Sequence, residues 1–224
     1  MTTYNNCNLL NSNFTNANLT DYTFINCDLT NCNFTNTNLT NVSFKDSNLS
    51  NSIFVDNIIN NTDFTNTNLY HVMSSNLNVT NIILPEGYFI QHNYLIGPNV
   101  NLTNANLTNI KLKDIFFDDI ILINANLTNA TLSNINITTS NLSKINLTNT
   151  SLINTNINYS NLTDAIIKNN IFNNNKFNFF FILNLTNILS KIDSILLFEC
   201  YPKHLFFNII NHNDNMKRFL NKKN

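Results

Sequence analysis

Residues 27–41 read CDLTN CNFTN TNLTN. Each five-residue unit opens on a small or short polar side chain, follows with Asn or Asp, places Leu or Phe third, and closes on Thr and Asn. Working outward, the apolar third position recurs without a miss: Leu9, Phe14, Leu19, Phe24, Leu29, Phe34, Leu39, Phe44, Leu49, Phe54, Ile59, Phe64 and Leu69. Two residues earlier sit Cys7, Ser12, Ala17, Cys27, Cys32, Thr37, Val42, Ser47, Ser52, Thr62 and Thr67, with Tyr22 and Asn57 as exceptions. A second run follows in a new phase: Leu102, Leu107, Leu112, Phe117, Leu122, Leu127, Leu132, Ile137, Leu142, Leu147, Leu152, Ile157, Leu162 and Ile167. Its smaller partners include Ala105, Ala125, Ala130, Ser140, Thr150, Thr155, Ser160 and Ala165, while Ile110, Ile115, Ile120 and Ile145 are large enough to swell their coils.

A period of five is neither the 3.6 of an amphipathic helix nor the 2.0 of a strand. Asn, Thr and Ser also compete for the backbone inside helices. The pattern therefore demands a chain that returns on itself every few units, with two of every five side chains pointing inward.

Units such as CDLTN (27–31), TNLTN (37–41) and ANLTN (105–109 and 125–129) resemble those of the pentapeptide-repeat family, over roughly residues 4–82 and 100–172. The resemblance implies an all-β solenoid: a right-handed quadrilateral parallel β-helix, four units and twenty residues per coil. Leu and Phe alternate through the first run, so on a square coil Phe14, Phe34 and Phe54 stack on one side and Phe24, Phe44 and Phe64 on the opposite one. Leu9, Leu29, Leu49 and Leu69 form a third side. Each buried Leu or Phe contributes about 1.5–3 kcal/mol before entropy. At ~4.8 Å per coil, seven or eight coils make a rod of about 35–40 Å.

The repeat is interrupted. The spacing predicts a slip of three residues near 71–74, where Ser74 falls on an apolar position and Leu77 and Ile82 fit the later phase. Then comes LPEGYFIQHNYLIGP (84–98), which holds both glycines and two of the three prolines. It predicts short strands over 88–91 and 94–97 around a His92-Asn93 turn, and resembles a spacer found between arrays in some proteins of the family. Both a recognition loop and a structural hairpin that resets the phase fit it. The expected organisation is array one over 1–82, a hairpin spacer over 83–100, array two over 101–177, and a capping helix with a basic tail over 178–224. In that tail Phe181, Leu185, Ile188, Ile192, Ile195 and Leu196 follow helical spacing. A solenoid end needs a cap; a homodimer contact and a coding accident are the other readings.

Composition narrows function. The chain has 224 residues, 11% charged, with formal net charge -1. That is less than half the charged fraction usual for soluble domains, and it gives no basic stripe for nucleic acid. Asn supplies about a quarter of the residues, a bias in keeping with an AT-rich genome. The start of the sequence shows no signal-like stretch, and Phe179–Leu183 is far too short an apolar run to cross a bilayer. A soluble, intracellular protein is expected, so the recurrent Asn-Leu-Thr triplets (18–20, 38–40, 106–108, 146–148) are read as the repeat unit rather than glycosylation acceptors. Cys7 and Cys27 lie one coil apart, a separation that allows a disulfide, and in a reducing compartment are read as small core residues. The four histidines (His71, His92, His204 and His212) do not pair at ligand spacing, Cys200, His204, His212 and Asp214 match no common metal spacing, and no nucleophile elbow or phosphate loop occurs. The expectation is a non-enzymatic structural or protein-interaction scaffold without a cofactor, its partner a protein rather than nucleic acid or membrane. Two alternatives carry over. Relatives that shield DNA gyrase by resembling DNA would need an acidic exterior, and ice or surface binding would need complete Thr and Asn arrays.

Overall fold

Every fifth residue takes the chain around a corner, and the corner is left-handed. Asn6, Asn11, Asn16 and Asp21 have φ of 55, 59, 61 and 63°. This region crowds a Cβ at a cost of about 1–2 kcal/mol for most residues, and Asn and Asp tolerate it best after Gly. In the computed structural model, which describes residues 2–176, the non-glycine coil corners from Asn6 to Asn174 are Asn or Asp except at His71, Thr139, Lys144 and Tyr159. The corner amides also pair upward: Asn31 Nδ2 donates to Asn11 Oδ1 (3.0 Å), Asn36 to Asn16 (2.8 Å) and Asn154 to Asn134 (2.8 Å). Asp can only accept, so Asp21, Asp46 and Asp56 each receive a bond from Asn41, Asn66 and Asn76 above.

Four corners close a coil, and each residue lies over the one twenty earlier. Thr3–Asn5 pairs parallel with Thr23–Ile25, and single bridges join Asn8 to Asp28, Asn13 to Asn33 and Asn18 to Asn38. Backbone bonds run both ways between coils: Leu9 N donates to Asp28 O (2.8 Å), and Asp28 N to Cys7 O (2.9 Å). The Asn-Leu-Thr triplets have a local reason. Asn38 Oδ1 accepts both the backbone N–H (3.0 Å) and the hydroxyl (2.7 Å) of Thr40, and Asn18 and Asn146 do the same for Thr20 and Thr148.

The interior is one continuous apolar column. Phe24, Leu29, Phe34, Leu39, Phe44 and Leu49 are fully buried, and Leu107, Leu127, Leu132, Leu142, Leu147 and Leu152 nearly so. Leu9 and Phe14, in the first coil, are half-buried. Tyr4, Phe24, Phe44 and Phe64 stack at centroid spacings of 5.3, 5.4 and 5.1 Å; Phe14, Phe34 and Phe54 stack at 5.0 and 4.8 Å. The two stacks meet edge-on, as between Phe34 and Phe44 (5.5 Å). The residues two places before each centre bury hydroxyls that donate to a carbonyl of the coil below: Thr37 to Phe14 O (2.8 Å), Ser52 to Leu29 O (2.8 Å), Thr62 to Leu39 O (2.9 Å). Cys7, Cys27 and Cys32 are free thiols, and burial pushes the Cys32 thiol up to about 11.

The interruption differs from the slip the spacing suggested. Met73–Ser75 pairs with Ile53–Val55, and Asn78–Ile83 with Ile58–Asp63 through a bulge, so the first register runs on to Ile83. Leu77 and Ile82 therefore sit above Asn57 and Thr62, two residues before a centre, and Ser74 takes the centre above Phe54. Only then does the offset change: Met73 pairs with Asn101, 28 residues on instead of 20, so this coil carries eight extra residues. Beyond it the twenty-residue register holds through Lys111–Lys113, Thr131–Ser133, Ser151–Ile153 and Ile171–Asn173, despite the large Ile110, Ile120 and Ile145. The capping helix and basic tail expected over 178–224, the cap or homodimer role and the tail cysteine and histidines lie outside the described residues.

Candidate functional site at the spacer

The extra residues form a hairpin. Phe89–Gln91 pairs antiparallel with Tyr94–Ile96 across His92 and Asn93, whose φ values of 50 and 61° are those of a tight hairpin turn. Its second strand tucks under the second array. Leu95 and Ile96 are buried, and Leu95 N donates to Ser74 Oγ (2.8 Å), which explains a serine on an apolar position. Leu77 N donates to Asn93 O (3.0 Å). A small apolar cavity of about 20 Å³ remains among Phe54, Phe64, Ser74, Ile90 and Leu95.

The glycines follow from this packing. Gly87 turns with φ 84°, and a Cβ on Gly97 would lie 2.4 Å from the Tyr88 ring. Tyr88 thus covers Gly97, and burial raises its phenol pKa.

The hairpin does not complete the coil. Where the chain leaves the rod after Leu84, the first coil of the second array loses the strand that would lie beneath it. One exposed edge is closed by a side chain: Tyr94 Oη accepts the backbone N–H of Asn106 (3.0 Å). Another corner is clipped across the break. The Tyr70 hydroxyl donates to Asp119 (2.7 Å), which raises its pKa, and His71, stacked on Tyr70 at 3.9 Å, approaches the same carboxylate (3.6 Å). The next edge stays open. Lys111–Lys113 ends a four-stranded sheet and pairs on one side only, with Thr131–Ser133.

Between that edge and the hairpin lies an open groove of about 750 Å³, lined by Tyr88, Phe89, Gln91, Pro98, Lys111–Phe116 and Asp118. Phe116 is 73% exposed at a position occupied by Asn136 and Asn156 in the coils above. Lys113 pairs with Asp114 (3.4 Å), whose carboxyl is held below the ordinary range by the amide of Asn134 and by Lys113. Asp118 accepts the hydroxyls of Thr138 and Thr139. Among the described residues His71 and His92 lie apart, and no three His, Cys, Asp or Glu gather as a metal site. No helix there is long and apolar enough to cross a membrane. The residues picked out from sequence form the interior; the groove was not among them.

These features define a quadrilateral parallel β-solenoid of five-residue units with one projecting hairpin. Family models for the pentapeptide repeat region match residues 2–69, and for pentapeptide repeats residues 101–138 and 132–169. The chain belongs to the pentapeptide-repeat family. Among solved structures it is similar to QnrB1, a plasmid-mediated fluoroquinolone resistance protein (15% identity, 86% of this chain and 99% of that one, TM-score 0.36). It is also similar to HetL of the cyanobacterium Nostoc, a pentapeptide-repeat protein involved in heterocyst differentiation regulation (18%, 77% and 87%, 0.26), and to a thylakoid-lumen protein of Arabidopsis thaliana (17%, 63% and 66%, 0.19). No curated protein matches.

Proposed function

We propose that the chain is a non-enzymatic scaffold that binds another protein, with the spacer as the place where the rod is read. The observation that carries this reading is the break itself. On a rod whose outer positions are mostly Asn and Thr bonded to one another, the spacer leaves an aromatic-lined groove and an open strand edge. Loops held on a rigid frame are where recognition concentrates. The other two readings fit the surface less well. Among the described residues the corner carboxylates are scattered, as Asp21, Asp46 and Asp56 are in three different corner columns between Asn residues, which does not favour a DNA-like acidic stripe. The Thr20, Thr40 and Thr148 hydroxyls already donate to Asn side chains, which leaves them only as acceptors toward an ice lattice. The test is photo-crosslinking in extract of the natural host, with the crosslinker placed in turn at Gln91, Phe116 and Thr35. The expected result is one discrete protein adduct from the first two positions and none from Thr35. No adduct at any position would count against a protein-binding role.

A further inference from the structure

We propose that the groove takes an extended acidic peptide, which adds as a strand to the Lys111–Lys113 edge and seats an apolar side chain against Phe116. This rests on the scaffold reading and names its ligand. In the second array the residue before a centre donates its N–H to the coil below at all centres but Leu107, Leu112 and Phe117, as Asn101 does to Val72 O (3.0 Å) and Thr131 to Ile110 O (2.9 Å). Lys111 occupies that place on a side of its coil where no strand pairs beneath, and Lys111–Lys113 pairs only upward. The fold spends the Tyr94 hydroxyl to satisfy the equivalent N–H of Asn106 one side earlier, and supplies no such group here. An incoming strand meets that need with its own backbone, which is the basis of strand-addition recognition.

The side chains define what the strand carries. Leu112 is buried, while Lys111 and Lys113 both point outward from the edge. Residues opposite them on an added strand lie within direct cross-strand reach, where opposite charges attract and like charges repel. Among the described residues Lys111 has no ion pair, whereas Lys113 has one, with the exposed Asp114; the carboxylates of Asp114 and Asp118 are held by hydrogen bonds from Asn134 and from Thr138 and Thr139. Acidic residues at alternate positions therefore fit the edge. A second copy does not, because two such edges would bring four lysines together. Phe116, with Tyr88 and Phe89 across the groove, offers the apolar seat.

The probe is a fluorescein-labelled Glu-Val-Glu-Phe-Glu-Val-Glu peptide, titrated by anisotropy into the full chain at low salt. A peptide with Lys for every Glu serves as control. Saturable binding is expected for the acidic peptide alone, weakened about tenfold or more in Phe116→Asn and in the Lys111→Glu/Lys113→Glu double variant. Both changes lie on exposed positions. Hydrogen exchange should show the amides of 111–116 slowed in the complex. Absence of saturable binding, equal binding of the lysine peptide, or unchanged affinity in both variants would overturn the proposal. So would a dimer of the free chain that Phe116→Asn dissociates. A host partner held equally by wild type and both variants would leave the scaffold reading standing and remove only this groove.

Discussion

The two arrays fill coils of the same girth with different volumes. Below the spacer, Phe and Leu alternate at the centres, and the residues two places earlier are short and mostly hydroxyl- or thiol-bearing. Above it, Leu and Ile hold nearly every centre, and Ile110, Ile120, Ile135 and Ile145 are buried where Ser, Thr or Cys stand below. The register does not widen. A large centre beside a small neighbour and two medium ones reach similar packing, as volume-conserving exchange in cores allows. The difference lies in what fixes the arrangement. The first array combines stacked rings with buried hydroxyls donating between coils. The second relies more on aliphatic contact.

Predictions follow the size of the effect. Phe34→Asp puts an unpaired charge inside a dry stack and should cost several kcal/mol, on the order of the array's whole margin, read as loss of the cooperative melt. Phe34→Leu imports the second array's choice without its larger partner and should cost about 1–2 kcal/mol by denaturant unfolding, because the residual space stays empty. If it melts like wild type, the ring stack is not what holds the first array.

The corners sharpen the contrast. Asn36→Ala, at φ 55°, should destabilise by about 1 kcal/mol through the left-handed backbone alone, besides losing the bond to Asn16. Thr139→Asn, which repairs a β-branched corner at φ 55° in the second array, should raise the melting temperature. Opposite signs are required; two losses would refute the corner argument.

Smaller effects come from the thiol and the outer face. The Cys32 pKa is raised in the fold, so the unfolded chain releases that proton first. Its contribution is complete below its ordinary value of 9.0 and is lost as pH rises toward about 11. Cys32→Ala should flatten the decline in melting temperature across that window. Thr35→Asp, next to Phe34 but outward, should stay within about 0.5 kcal/mol of wild type.

The period of five made the coil and its interior legible, because outside the break each centre is Leu, Ile or Phe whatever its neighbours. The corners were not legible as such. Asn at the fifth position reads equally well as base composition or as ladder-forming amides, and only the backbone shows that φ is positive there. The break is hard to place from sequence for a specific reason. Ser74 at a centre and Leu77 and Ile82 beside centres imitate a change of phase, when Leu95, far along the chain, supplies the missing apolar volume. The groove left no signal beyond Phe116 in place of Asn, since it arises from a strand that is not there.

The extra eight residues also bear on how such a chain finds its fold. Coils this alike can pair one turn too high or too low with little loss, so a growing stack is exposed to registry errors that keep every centre inside. Neighbour-only contacts let coils add one after another from any nucleus, which gives no protection against a shifted start. The hairpin breaks the degeneracy. Only one alignment brings Leu95 onto Ser74, the Tyr94 hydroxyl to Asn106 and Tyr70 to Asp119. The spacer thus acts as an index mark that tells otherwise interchangeable turns which is which.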